Sequence, residues 1–186
     1  MKHFTSALFL VASFGLFGQN CTQPFISEYL EGSSNNKALE IVNPSSSPLN
    51  MSIYSISSFN NGNTSPTNTF QFPNITLPAN GVYVIANGNA DPSILSVSDT
   101  TSGVTWFNGD DAIVLFKNTD TLDIIGVVGT DPGTSWVVGS GATKEFTLVR
   151  KTTVQTGQTN WAIGAGEWDV SPQSTFTYLG SHSSAC

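Results

Sequence analysis

Short apolar or alternating runs, separated by turn-forming residues, recur along the chain from residue 24 onward. The first two predict strands over residues 24–31 and 37–43, joined by a turn at residues 32–36. No helical periodicity is sustained over three turns, whereas alternation of apolar and polar positions is typical of strands. The chain therefore opens with a predicted β-hairpin.

The same pattern predicts further strands over residues 49–59, 69–77, 82–87, 104–107, 112–117, 121–128, 145–151, 159–163 and 175–179. One short helical turn is predicted where Asp91 can cap and Pro92 can take the first position. Eight or more short strands at this spacing indicate an all-β, mostly antiparallel sandwich. No repeat or change of composition marks a second unit, so residues 21–186 are predicted to form one domain.

The turn at residues 32–36 sets the register of the first hairpin. It places Glu31 opposite Lys37 and Glu28 opposite Glu40. Like charges directly opposite are unfavourable unless hydrogen bonds, solvent or a slipped register relieve them. Because glycosidase acids face each other across a cleft and these two share a hairpin, we expect a structural role. Alternation along the first strand predicts that one face carries Phe25, Ser27, Tyr29 and Glu31. The other face then carries Ile26, Glu28 and Leu30.

Residues 1–20 are predicted to be a secretory signal peptide. A short basic start, Met1-Lys2-His3, precedes a largely apolar stretch over residues 4–17 that is too short to span a bilayer comfortably. The alternatives are lipid attachment at Cys21 and a hydrophobic N-terminal strand. We expect a secreted protein, extracellular or periplasmic, with no transmembrane segment.

The cysteines support export. Cys21 and Cys186 stand at the two ends of the expected mature chain. Cysteines of exported proteins usually pair, and the termini of a domain often lie close together. We therefore expect a disulfide between them, and the alternative is two free or intermolecular thiols.

The charge balance limits the classes of partner. Six Lys and Arg stand against thirteen Asp and Glu, giving a formal net charge of −7, and the cations are scattered. Nucleic acids and anionic membranes require a basic surface. Binding to either is therefore not expected.

An acidic turn is the main candidate for a metal site. Asp110 and Asp111 follow Gly109, and Asp131 stands further along the chain. Calcium takes several oxygen ligands, so these three carboxylates are candidate ligands. The alternative is structural: glycine permits a positive φ, and Asp side chains accept backbone hydrogen bonds in turns. The spacing matches no EF-hand, and no resident cofactor is expected apart from this calcium hypothesis.

The sequence shows no recognisable motif of a catalytic site. His182 is the only histidine after residue 20, and no fixed partner for it is visible in the sequence. There is no Gly-x-Ser-x-Gly elbow and no His-Glu-x-x-His motif. One histidine and two cysteines after residue 20 are too few ligands for a His/Cys zinc site. We therefore do not expect an enzyme.

The tryptophans admit two interpretations. Their rings can stack on sugars or bases, and they can equally fill a core. We expect at least two of them in the core, whereas an exposed one beside the polar loop at residues 60–68 would indicate a carbohydrate surface. The four are Trp106, Trp136, Trp161 and Trp168.

Several segments together resemble a known family. Residues 25–42 (FISEYLEGSSNNKALEIV) and 108–128 (NGDDAIVLFKNTDTLDIIGVV) resemble the two main hairpins of the lamin tail domain, as found in bacterial secreted proteins. Trp136, residues 146–151 (FTLVRK) and the segment from Trp161 onward are similar to its later parts. The resemblance implies an immunoglobulin-like β-sandwich. In bacteria such domains accompany nucleases, phosphatases or surface anchors as accessory modules.

These observations favour a secreted, non-catalytic interaction module with a protein or glycan partner at the cell envelope. One alternative is an accessory domain of a metal-dependent hydrolase or nuclease system that uses a carboxylate metal site. Another is a structural role in the envelope through edge-strand pairing or self-association. Ligand and oligomeric state are left open by the sequence.

Overall fold

The computed structural model describes residues 21–186, so the predicted signal peptide lies outside the described residues. The elements, in chain order, are β1 Phe25–Glu31, β2 Lys37–Val42, β3 Leu49–Asn50, β4 Tyr54–Phe59, β5 Asn68–Gln71, β6 Thr76–Leu77, β7 Val82–Ala86, α1 Pro92–Leu95, β8 Thr100–Thr101, β9 Ala112–Lys117, β10 Asp120–Ile125, β11 Val137–Val138, β12 Gly141–Ala142, β13 Phe146–Arg150, α2 Trp161–Gly164 and β14 Trp168–Pro172. Four 3-10 turns lie between them, at Met51–Ile53, Asn60–Gly62, Gly103–Thr105 and Ala165–Glu167.

Two sheets carry the architecture. The larger has the strand order β14-β13-β1-β2-β7-β8, and the smaller has the order β10-β9-β4-β5. The pairings are antiparallel apart from the parallel pair β7–β8. The prediction of an all-β, mostly antiparallel, immunoglobulin-like sandwich is thus confirmed.

The main core lies between the sheets. Ile41 and Leu148 of the larger sheet share one apolar cluster with Ile56 and Leu115 of the smaller sheet, and all four are fully buried. Alternation sends every second side chain of each strand into this space. Burial of apolar surface is the main force that holds the two layers together.

A bulge in β1 changes the predicted faces of the first hairpin. The register shifts between Ile26 and Glu28, so Ile26 joins Tyr29 in the core between the sheets. Phe25 belongs instead to a separate cluster with Val42 and Val154. The prediction that Phe25 and Tyr29 share a face is therefore wrong, because one extra residue in a strand reverses the alternation. The predicted cross-strand pairs themselves are confirmed.

Two predicted strands are interrupted. The run over residues 49–59 divides into β3 and β4 because a 3-10 turn, capped by the Asn50 side chain, intervenes. The run over residues 69–77 divides into β5 and β6 around Pro73, which has no N–H to donate to a ladder.

Two other predicted strands are helical turns with side-chain caps. Ser102 caps the turn over residues 103–105, and Asn160 caps α2. Ser and Asn are common helix caps. Their capping hydrogen bonds favour a helical turn over the strand that the short apolar run alone would predict. The helix predicted after Asp91 is confirmed, with Asp91 accepting a hydrogen bond from the Ser93 N–H. The strand predicted over residues 175–179 is a turn, and β14 was not predicted.

The C-terminal segment crosses the outer face of the larger sheet. Leu179 packs there against Leu30, Ala38 and Val84. Its end is fixed by the disulfide Cys21–Cys186, whose Cα atoms lie 5.8 Å apart, so the predicted pairing is confirmed. None of the helices within residues 21–186 has the length and apolar character needed to cross a bilayer.

Candidate functional site

A groove opens at one end of the sandwich, between the β1–β2 turn, the loop after β7 and the segment before β9. It has a volume of about 340 Å³. We call it the Trp106 groove. The side chains that line it include Asn35, Lys37, Asn87, Asn89, Trp106 and Asn108.

Trp106 stands on a firmly held turn. Its N–H donates to the Gly103 carbonyl at 3.0 Å, and the Thr105 hydroxyl donates to the Ser102 carbonyl at 2.6 Å. Val104 and Thr105 are fully buried. Trp106 as a whole residue is nevertheless 64% exposed. The ring is therefore presented to solvent by a backbone that has little freedom to move.

The base of the groove is also fixed. The Phe107 ring stacks on Tyr29 with centroids 4.7 Å apart. Lys37 Nζ donates to the Phe107 carbonyl at 2.6 Å and to Glu31 Oε1 at 2.7 Å. Glu31 and Lys37, which stand opposite each other as predicted, form an ion pair, and Glu31 thereby balances the charge of the cation that lines the groove.

Asp111 lies beside the groove and has a structural position. It is fully buried; its Oδ1 accepts from the Asn61 N–H at 2.8 Å and its Oδ2 from the Asn108 N–H at 2.7 Å. Burial raises the pKa of Asp111, and these two hydrogen bonds oppose that rise. Gly109 is required for space and not for a positive φ, because a Cβ there would lie 2.5 Å from the Lys144 Cα.

The structure does not join the three candidate calcium ligands into one cluster. Asp131 is exposed and accepts from the Gly133 N–H at 2.7 Å within its own turn. Asp110 lines a second cavity with Glu31 and Lys144. Across residues 21–186 no group of three or more His, Cys, Asp or Glu side chains is arranged to hold a metal ion. The calcium site stays a prediction that this geometry does not favour.

Comparison with known proteins identifies the family. The sequence model described as Lamin Tail Domain matches residues 19–130, more than half of the chain. The chain belongs to the lamin tail domain family. The two-sheet β-sandwich agrees with the immunoglobulin-like fold of this family. No curated protein matches the chain.

The part of this lamin tail domain beyond residue 130 completes the larger sheet. β13 pairs with β1, and β14 pairs with β13. Neither strand lies within the matched segment. The resemblance of the segments from Trp136 onward therefore stays a prediction, although they are integral to the same sandwich.

This chain has a buried pair of carboxyl groups, Glu28 and Glu40, on the outer face of its larger sheet. Glu40 accepts from the Ser27 hydroxyl and the Gly180 N–H, both at 2.7 Å. Neither carboxyl oxygen of the neighbouring Glu28 has a partner among the described residues. Burial, and secondly the charge of Glu40, raise the pKa of Glu28 to about 9. Protonation of Glu28 therefore relieves the like-charge pair, and the register is not slipped.

His182 lies over the same face. Its ring meets Phe25 edge-on, with centroids 5.9 Å apart. Burial, and secondly the charge of Arg150, lower the pKa of His182 to about 4, so the ring is neutral at pH 7. Nε2 has no hydrogen-bond partner within residues 21–186.

We expect Glu28→Gln to change the pH dependence of stability. Between pH 4.5 and about 9 the folded protein holds a proton on Glu28 that the unfolded chain releases, so the free energy of unfolding falls as pH rises. The slope from one such group is about 1.4 kcal/mol per pH unit. His182 has the opposite effect on the free energy of unfolding between pH 4 and 6.5. Its pKa is lowered in the folded protein, so the unfolded chain binds a proton that the folded protein does not, and stability rises with pH.

The effect of Glu28 should therefore be clearest above pH 6.5. Urea unfolding at several pH values up to about 8.5 measures the slope, which should be shallower in Glu28→Gln than in the native protein. The exposed Asp120→Asn serves as the control variant. Equal slopes for the native protein and Glu28→Gln would contradict this assignment.

The tryptophans divide as expected. Trp161 and Trp168 are buried, at 7% and 3% exposure, and Trp136 is partly buried against the core. Trp106 is exposed and its turn lies beside the end of the polar loop, since a Cβ on Gly103 would lie 3.4 Å from Asn68 Oδ1. The groove beside Trp106 was not predicted, because its three walls come from distant parts of the sequence.

Proposed function

We propose that this lamin tail domain is a secreted, non-catalytic interaction module that meets a protein or glycan partner at the cell envelope, either extracellular or periplasmic. The sandwich supplies a rigid support, and the loops at its end supply the contact surface. The Cys21–Cys186 disulfide is compatible with an oxidising compartment.

One contrast carries this proposal. The buried ionised side chains are engaged inside the fold: Asp123, for example, accepts hydrogen bonds from the N–H groups of Ile26, Ile124 and Gln158 and from Arg150. At the groove end, the side chains of Asn35, Asn89 and Asn108 have no hydrogen-bond partner within residues 21–186. The buried charged groups therefore stabilise the fold. The polar, uncharged side chains at the groove end are available for contact with another molecule.

The alternative is an accessory domain of a metal-dependent hydrolase or nuclease system, with calcium or magnesium held by Asp110, Asp111 and Asp131. Asp110 lines a cavity together with Glu31, which is the feature that favours it. The internal hydrogen bonds of Asp111 oppose it, because ligation would have to displace two backbone donors.

A metal titration distinguishes the two functions. We expect CaCl₂ or MgCl₂ to leave the melting temperature unchanged. A specific site saturated about a hundredfold above its Kd would raise it by about 5 °C or more. Such a rise, if abolished in the double variant Asp110→Asn/Asp131→Asn, would establish the alternative.

The interaction module itself is tested in the native host. We expect the protein to fractionate with secreted or envelope material and to cross-link there to a partner, while the purified chain shows no turnover of ester, phosphate, nucleic-acid or glycoside substrates. Retention in the cytoplasm, or turnover of any of these substrates, would overturn the proposal.

A further inference from the structure

The Trp106 groove combines an exposed aromatic ring with unengaged amides. The side chains of Asn35, Asn89 and Asn108 are exposed and have no hydrogen-bond partner among residues 21–186. Asn87 uses its Oδ1 to accept from the Asn89 N–H at 3.0 Å, which leaves its amide donors available. An amide offers both a donor and an acceptor at one position.

The groove is neutral in an acidic protein. The chain carries a net charge of −7, yet no carboxylate lines the groove. Its single cation, Lys37, is paired with Glu31 and is only 8% exposed. A charged ligand would find no free counter-charge here. Stacking of bases on Trp106 is disfavoured for the same reason, because nucleic-acid binding needs cations for the phosphates.

The backbone and base of the groove are preorganised. The Trp106 ring stands on a capped 3-10 turn, and the base beneath it is held by the Phe107–Tyr29 stack and the Lys37 hydrogen bonds. The backbone and base of the groove therefore need no ordering when a ligand binds, whereas the exposed side chains of Asn35, Asn89 and Asn108 would lose rotamer freedom. The volume of about 340 Å³ lies at the lower end of the range for small-ligand sites, about 300–1,000 Å³.

We propose that the Trp106 groove binds a neutral oligosaccharide, with the apolar face of a sugar ring on Trp106 and the sugar hydroxyls hydrogen-bonded to the surrounding Asn amides. A pyranose offers a flat C–H face for an aromatic ring and a rim of hydroxyls that both donate and accept. The inference rests on the proposed interaction module and specifies a glycan as its partner.

The test is a binding measurement on the full chain with its disulfide formed. We would screen an array of neutral glycans and then titrate neutral β-1,4-linked hexamers of glucose, xylose, mannose and N-acetylglucosamine by calorimetry. At least one glycan should bind. Anionic hyaluronan and a single-stranded DNA oligonucleotide should not.

Variants then locate the site. Trp106→Ala should weaken binding about tenfold or more, because tryptophan anchors dominate such contacts. Trp106→Phe should retain part of the affinity. Tyr178→Ala removes another exposed aromatic, 47% exposed and outside the groove, and should bind as the native protein does. Because Trp106 is exposed, its variants should keep the native melting temperature.

Three results would overturn the glycan inference: no glycan on the array binds, Trp106→Ala binds as tightly as the native protein, or Tyr178→Ala weakens binding as much as Trp106→Ala does. The proposed function fails differently. If the protein cross-links to an envelope partner but binds no glycan, the proposed interaction module is supported and only the glycan inference is refuted. Cleavage of a bound hexamer would refute the non-catalytic role and leave the site in place.

Discussion

Replacing Asp123 by alanine is expected to lower the free energy of unfolding by about 3–5 kcal/mol. Asp123 and Arg150 are a buried ion pair with side chains that are 0% exposed. Arg150 also donates to the Ile26 carbonyl at 3.1 Å and to Glu167 at 2.7 Å, and its guanidinium lies 4.0 Å from the Trp168 ring centroid. Without Asp123 this buried cation keeps only Glu167 as a counter-charge.

The variant also removes a carboxylate acceptor from backbone donors. The N–H groups of Ile26 and Gln158 donate to Asp123 at 2.9 Å each, whereas the N–H of Ile124 keeps the Gln158 carbonyl as an acceptor at 3.1 Å. Urea unfolding at pH 7 measures the loss. Asp169→Ala is the matched control, because Asp169 is exposed and a surface change should stay within about 0.5 kcal/mol. A loss below about 1 kcal/mol for Asp123→Ala would refute the assigned role of the pair.

The second large effect is expected from the disulfide. The double variant Cys21→Ser/Cys186→Ser should be less stable by up to about 5 kcal/mol, because the bridge closes a loop with a sequence separation of 165 and restricts the unfolded chain. It also fixes the C-terminal segment, which donates to Glu40 through the Gly180 N–H and packs on the apolar cluster that contains Leu179.

Reduction provides the control for that experiment. A thiol reductant should lower the melting temperature of the native protein toward that of the double variant, and it should not change the variant. If the reductant leaves the native melting temperature unchanged, although thiol titration shows the bridge open, the stabilising role of the bridge is refuted.

Some of the fold can be read from the sequence because the relevant signals are local. The turn at residues 32–36 fixes the hairpin register, so the pairs of Glu31 and Glu28 across the strands follow directly. The errors also have local causes. The bulge after Ile26 is not encoded by apolar spacing, and the caps Ser102 and Asn160 convert short apolar runs into turns.

The groove could not be predicted in the same way. Its walls are the β1–β2 turn, the end of β7 and the turn before Trp106, which meet because β2, β7 and β8 are neighbours in the sheet. Strand order is a property of the tertiary structure. The sequence also does not distinguish Trp106 from the buried Trp161 and Trp168, since each is preceded by polar and small residues.

The position of β13 determines when this molecule can fold. Glu28 in β1 pairs with Val149 in β13, so the central part of the larger sheet closes only after β13 has been synthesised. Pairing between such distant segments is slow, because the entropy of closing the intervening loop is lost before the contacts form. In a nascent chain of this kind, the larger sheet would stay open until β13 has left the ribosome.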